Sequence, residues 1–146
     1  MLNKVKIGDE VWELNTDSLM FSDGTLNQFF EKVSGTIDYV GAGLAKANLW
    51  HSLLDHQAKQ KFIEKFKEYK DSGKSDKTAE LSAEGEQEVS DLRKRVIEAK
   101  YVKDLLHSHL NALNSAREDA HNRGHMLRKE MDKLNMDITS FSSTGM

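Results

Sequence analysis

The sequence predicts an all-α protein: a long antiparallel helical hairpin with a short N-terminal extended arm, assembling as a homo-oligomer. Three observations predict it. The 146 residues include no proline, which a loop-rich or β-sandwich chain of this length rarely manages. Charged residues make up 31% and apolar residues 38%, with mean hydropathy -0.65. That apolar share falls below the ~45–50% of a compact globule and suits long solvated helices better than a thick core. Finally, from Leu26 onward the apolar residues recur in steps of three and four, the period of coiled coils and helical hairpins.

The elements follow in order. In residues 1–24, Val5, Ile7, Val11 and Leu14 surround the turn-like pair Gly8-Asp9, the pattern of a short hairpin or extended arm. Asp23 or Thr25 is suited to cap the helix that follows. The first helical seam reads Leu26, Phe30, Val33, Ile37, Val40, Leu44, Ala47, His51, Leu54 and Ala58, then Phe62 and Phe66. Gly35, between Ser34 and Thr36, is a candidate kink, and Asp71-Ser72-Gly73 a candidate end.

Residues 74–86 read as a connector in which Ser75 and Ser82 can each begin a helical turn. A second long helix begins about Glu86. Its seam reads Val89, Leu92, Val96, Ala99, Val102 or Lys103, Leu106, Leu110, Leu113, Arg117 and Ala120. Gly124 is a candidate break before Met126, Leu127, Met131 and Leu134. The hairpin domain therefore spans 25–134, and the polar run of 135–146 reads as a flexible tail. Leu49, Trp50, Leu53, Ile63, Tyr69, Ile97, Tyr101 and Leu105 lie off both seams, and apolar side chains so placed call for a second copy of the chain.

Composition also excludes chemistry. With no cysteine, disulfides, thiolate nucleophiles and cysteine-based metal sites are closed. No apolar run reaches the ~18–20 residues of a membrane span, and residues 1–6 lack a secretory signal's apolar stretch. The expectation is a cytoplasmic protein without a membrane partner. Gly41-Ala42-Gly43 begins like a dinucleotide fingerprint, yet the flanking residues are helical in period and no strands follow. Small residues there serve close helix packing instead. His121 and His125 share a helix face at a spacing compatible with a metal, without a third ligand nearby; His107 and His109 point to different faces. No metal, cofactor or catalytic constellation is expected, and the protein reads as non-enzymatic.

The basic residues carry more information. Lys59, Lys61, Lys65, Lys67, Lys70 and Lys74 crowd the end of the first helix, and Arg93, Lys94, Arg95, Lys100 and Lys103 the start of the second. A hairpin brings both groups to its connector end, interleaved with Phe62, Phe66, Tyr69 and Tyr101. Cations for phosphates and rings for bases are what single-stranded nucleic acid requires. The candidate binding residues are Lys59, Lys61, Lys65, Lys67, Tyr69, Lys70, Lys74, Arg93, Lys94, Arg95 and Lys100. The competing reading is a solvated helix surface on a helical protein–protein interaction module, such as a phage adaptor, scaffold or host-factor inhibitor, that binds no nucleic acid.

Over roughly residues 14–130 the order of features resembles the UvsY-type recombination mediators of bacteriophages. The resemblance rests on Asp17-Ser18-Leu19 ahead of a long helix, on Tyr39-Val40-Gly41-Ala42-Gly43-Leu44-Ala45-Lys46-Ala47, and on the exit Lys65-Phe66-Lys67-Glu68-Tyr69-Lys70-Asp71-Ser72-Gly73-Lys74. An acidic connector follows, then Leu105-Leu106, Leu110-Asn111-Ala112-Leu113, Ser115-Ala116-Arg117 and Asn122-Arg123-Gly124-His125. The resemblance implies an all-α protein that forms a ring-like homo-oligomer and binds single-stranded DNA. It also implies partners: a RecA-like recombinase, loaded as single-strand-binding protein is displaced during phage recombination and repair. Lys65 and Lys67 correspond to the family's basic DNA-contacting motif, with lysine at 67 where the family shows arginine. Lysine keeps the charge and loses the bidentate fork.

Overall fold

A computed structural model describes residues 2–15 and 19–144. Asp17 and Ser18 of the resemblance motif lie outside the described residues. The order is β1 (Leu2–Ile7), β2 (Glu10–Asn15), a 3-10 turn (Asp23–Thr25), α1 (Leu26–Asp71), α2 (Asp76–Glu84) and α3 (Gln87–Thr144).

The arm is a β-hairpin. β1 and β2 pair antiparallel with Val5 opposite Trp12, and Gly8, at φ +60°, supplies the positive φ of the two-residue loop. Alternation along the strands turns Val5, Ile7, Trp12 and Leu14 to one buried face. That face joins Val40, Ala47, Leu106 and Leu113 in the main core cluster. The hairpin thus lies across α1 and α3 and extends a core that two helices alone leave thin. Gly43 makes the contact possible: a Cβ there would stand 3.0 Å from the Trp12 ring. Tyr39 packs against Trp12 with ring centroids 4.7 Å apart and planes tilted by 38°, and Lys46 lies over the same indole while pairing with Glu10 at 2.9 Å.

α1 and α3 form the expected antiparallel hairpin. Leu26, Val33, Val40, Ala47 and Leu54 are buried in α1, and Ala99, Leu106, Leu113 and Ala120 in α3. Each series steps by seven, the spacing that keeps a straight seam between supercoiled helices. Cross-links at both ends mark the register. Arg123 forks onto Asp23 with bonds of 2.8 and 2.7 Å, and Lys61 meets Glu88 at 2.9 Å. At ~1.5 Å per residue, α1 is about 69 Å long and α3 about 87 Å.

The helix ends follow local chemistry. After Asp71 the N–H of Gly73 bonds Lys70 O and that of Lys74 bonds Tyr69 O, with Gly73 at φ +92°: a Schellman cap. The connector is more ordered than a loop. Ser75 accepts from the Thr78 N–H at 3.3 Å and starts α2, whose Ala79 and Ala83 are fully buried.

Several details differ from the sequence reading. α1 runs through Gly35 and α3 through Gly124 without a break, since a single glycine costs a long helix only ~1 kcal/mol and packing overrides it. α3 continues as helix to Thr144, over most of the segment read as a tail; residues 145 and 146 lie outside the described residues. Phe29 is buried where Phe30 was expected to lead, and Ala116 takes the seam position assigned to Arg117. Trp50 and Leu105, expected to need another copy, pack against this chain's own core. Leu49, Leu53, Ile63, Ile97 and Tyr101 do remain exposed. Beyond Leu127, α3 outruns the start of α1, and Met131, Leu134 and Met136 are exposed there. Among the described residues no helix is long and apolar enough to cross a membrane.

Candidate nucleic-acid interface

Hairpin closure brings the last turns of α1 and the first turns of α3 to one end, as the two basic clusters require. A groove of about 490 Å³ opens between them. Lys59, Phe62 and Ile63 line it from α1, and Arg93, Val96 and Ile97 from α3. The Arg93 guanidinium lies 5.3 Å over the Phe62 ring, and Phe62 stacks on Phe66 at 6.3 Å. An arginine seated over a ring keeps N–H donors that a phosphate can take.

The other candidates divide by what they touch. Lys59 pairs with Asp55 at 2.8 Å and Lys65 with Glu68 at 3.4 Å. Lys61 bridges Glu64 at 3.2 Å and Glu88 at 2.9 Å. Lys70 pairs with Asp76, and Lys100 with Asp104 at 3.9 Å. These pairings neutralise much of the positive field. Lys65 is also the least accessible of them, with 19% of its side chain exposed. The remaining cations are different. Lys74 lies 4.8 Å over the Tyr69 ring. Lys67, Lys94 and Arg95 are exposed and pair with no carboxylate among the described residues. Among the candidate residues, the cations that pair with no carboxylate among the described residues are therefore Lys67, Lys74, Arg93, Lys94 and Arg95.

Local electrostatics fit this division. The hydrogen bond from Lys61 holds the Glu88 carboxyl below its usual range, and Glu88 in turn raises the Lys61 ammonium. Tyr69 donates its hydroxyl to Glu86, and that bond to a carboxylate raises the phenol. Tyr69 is consequently committed to tying the end of α1 to the residue just ahead of α3, with one ring face already covered by Lys74. Tyr101 is the more available aromatic, 67% exposed.

The sequence reading missed the acidic partners. Glu88 lies far along the chain from the Lys61 it holds, and only the hairpin register sets the two opposite; Asp76 meets Lys70 across the turn that ends α1, and Glu86 takes the hydroxyl of Tyr69. The antiparallel seam was the signal that could have found Glu88. It also missed Phe62 as the seat of Arg93. Of Lys65 and Lys67, the two residues that the resemblance singles out, Lys67 pairs with no carboxylate among the described residues and Lys65 is engaged by Glu68. Among the described residues no group of three or more histidine or acidic side chains is placed to hold a metal. The chain matches no family model, no curated protein and no solved structure.

Proposed function

We propose that the chain is a single-stranded DNA-binding recombination mediator, a non-enzymatic protein that holds a strand for a RecA-like recombinase as single-strand-binding protein leaves it. One observation carries the reading: five candidate cations without a carboxylate partner among the described residues, Lys67, Lys74, Arg93, Lys94 and Arg95, lie toward the connector end of the hairpin, and Tyr101 stands exposed farther along α3. Phosphate contacts supply affinity without reading sequence, and rings accept any base. Each contact is weak alone. A homo-oligomer repeats them, so a strand held at one copy meets the next at high effective concentration. The exposed apolar residues of α3 beyond Leu127 are suited to joining copies. The resemblance to the phage mediators supports the same reading and supplies the partners.

A second reading, the helical protein-interaction module, is favoured by Leu49, Leu53, Ile63, Ile97 and Tyr101 standing exposed off the seam, together with the ion-paired state of Lys59, Lys61, Lys65, Lys70 and Lys100.

Charge reversal separates the two. Lys67→Glu weakens single-stranded DNA binding more than Lys65→Glu, because Lys67 is free and Lys65 is tied to Glu68, and neither changes helicity or oligomer size. Binding that ignores both reversals removes the site assignment and leaves the interaction module.

A further inference from the structure

We infer that His121 and His125 form a bidentate site for an imidazole-seeking divalent ion of the Zn²⁺ class. The two side chains stand one turn apart on α3, both exposed. Their rings meet edge to face with centroids 4.7 Å apart at 87°, and the two Nε2 atoms are 3.2 Å apart. Zinc holds imidazole nitrogens at ~2.0–2.1 Å in tetrahedral geometry, which separates two such ligands by about 3.3 Å. The pair is therefore close to ligand spacing before any ion arrives. The helix backbone fixes both Cα positions, so little ordering remains to be done on binding. No other pair of histidines among the described residues is in ring contact.

The surroundings select the kind of ion. Arg117 and Arg128 are sequence neighbours four residues before His121 and three after His125, and Arg128 turns its Nε to Gly124 O at 3.4 Å. Among the described residues no carboxylate completes a third ligand. Hard ions such as Mg²⁺ or Ca²⁺ depend on such oxygens, whereas Zn²⁺, Ni²⁺ and Cu²⁺ gain from imidazole itself. With two protein donors the ion keeps open positions, filled by water or by a donor from a second molecule. An imidazole–imidazole hydrogen bond accounts for the same 3.2 Å separation, and the test separates it from a metal clip.

The test is calorimetric titration of the full, untagged chain with ZnCl₂, and separately with MgCl₂. Wild type, His121→Ala, His125→Ala and the control His107→Ala are compared, with circular dichroism confirming equal helicity. The inference expects one Zn²⁺ per chain, or one per two chains where copies share it, and no heat from Mg²⁺. It expects each of His121→Ala and His125→Ala to weaken Zn²⁺ binding by about tenfold or more, since each loses the intramolecular second donor, while His107→Ala binds as wild type. Wild type that takes no Zn²⁺, or variants at 121 and 125 that bind it as wild type does, overturns the inference. The outcome is independent of whether the chain binds DNA.

Discussion

Gly41 and Gly43 lie two residues apart in the middle of α1, and replacing each with alanine separates two opposing effects. Alanine is favoured over glycine in a helix interior by ~0.8–1.0 kcal/mol. A Cβ at Gly41 meets nothing within 4 Å, so Gly41→Ala keeps that gain and stabilises the protein by about 0.5–1 kcal/mol. A Cβ at Gly43 stands 3.0 Å from Trp12 Cε3 and 3.2 Å from its Cζ3. Trp12 has little room to yield, because Tyr39 packs against it and Lys46 lies over it. Overpacking of this kind costs ~1–3 kcal/mol. Set against the helix gain, Gly43→Ala is destabilising by up to about 2 kcal/mol. Urea unfolding followed by circular dichroism measures both. The two variants should differ by about 1–3 kcal/mol with opposite signs. Equal stabilisation by both would show that the β-hairpin does not sit on Gly43.

The core, and the one buried polar side chain among the described residues, give further expected outcomes. Leu113 is fully buried where the hairpin meets both helices, so Leu113→Ala costs about 2–5 kcal/mol in the same unfolding assay; a loss under 1 kcal/mol would mean this core is not packed as described. His109 is buried with its Nε2 unpartnered, and burial lowers its pKa. The unfolded chain therefore takes up a proton more readily than the folded one, so the contribution of His109 is present above its unfolded value of ~6.5 and is lost as pH falls. His109→Leu should flatten the loss of stability between pH 7 and 5, and an unchanged slope would contradict the burial argument.

Much of the fold was legible because heptad spacing is a long signal. Leu26 to Leu54 and Ala99 to Ala120 keep one phase through many turns, so the pairing of α1 with α3 does not depend on any single residue. The β-hairpin was legible from the apolar residues around the turn-like pair Gly8-Asp9, although its buried face takes Trp12 and leaves Val11 exposed. Its seat was not, because Gly43 is a site defined by what it lacks, and nothing in the chain marks Trp12 as the ring that fills the space. Choices between adjacent residues, such as Ala116 over Arg117, turn on supercoil phase, which drifts by a fraction of a residue over such lengths. The basic end was legible as composition, and its ion pairing was not. Counting lysines cannot reveal that Lys61 faces Glu88 or that Lys65 turns to Glu68, because those pairings depend on register and rotamer. Accordingly the free cations are a smaller set than the sequence suggested, shifted from Lys65 toward Lys67, Lys94 and Arg95.

The central claim is that this end grips the phosphates of a single strand. Fluorescence anisotropy with labelled single-stranded and duplex DNA, repeated over a series of salt concentrations, tests it most directly. A grip on single-stranded phosphates gives preference for the single strand and a log–log salt slope of about -0.7 for each phosphate engaged. Reversing Lys67, Lys94 and Arg95 together to Glu should flatten that slope by about 2. Absence of binding at low salt, or a slope untouched by the triple reversal, would contradict it.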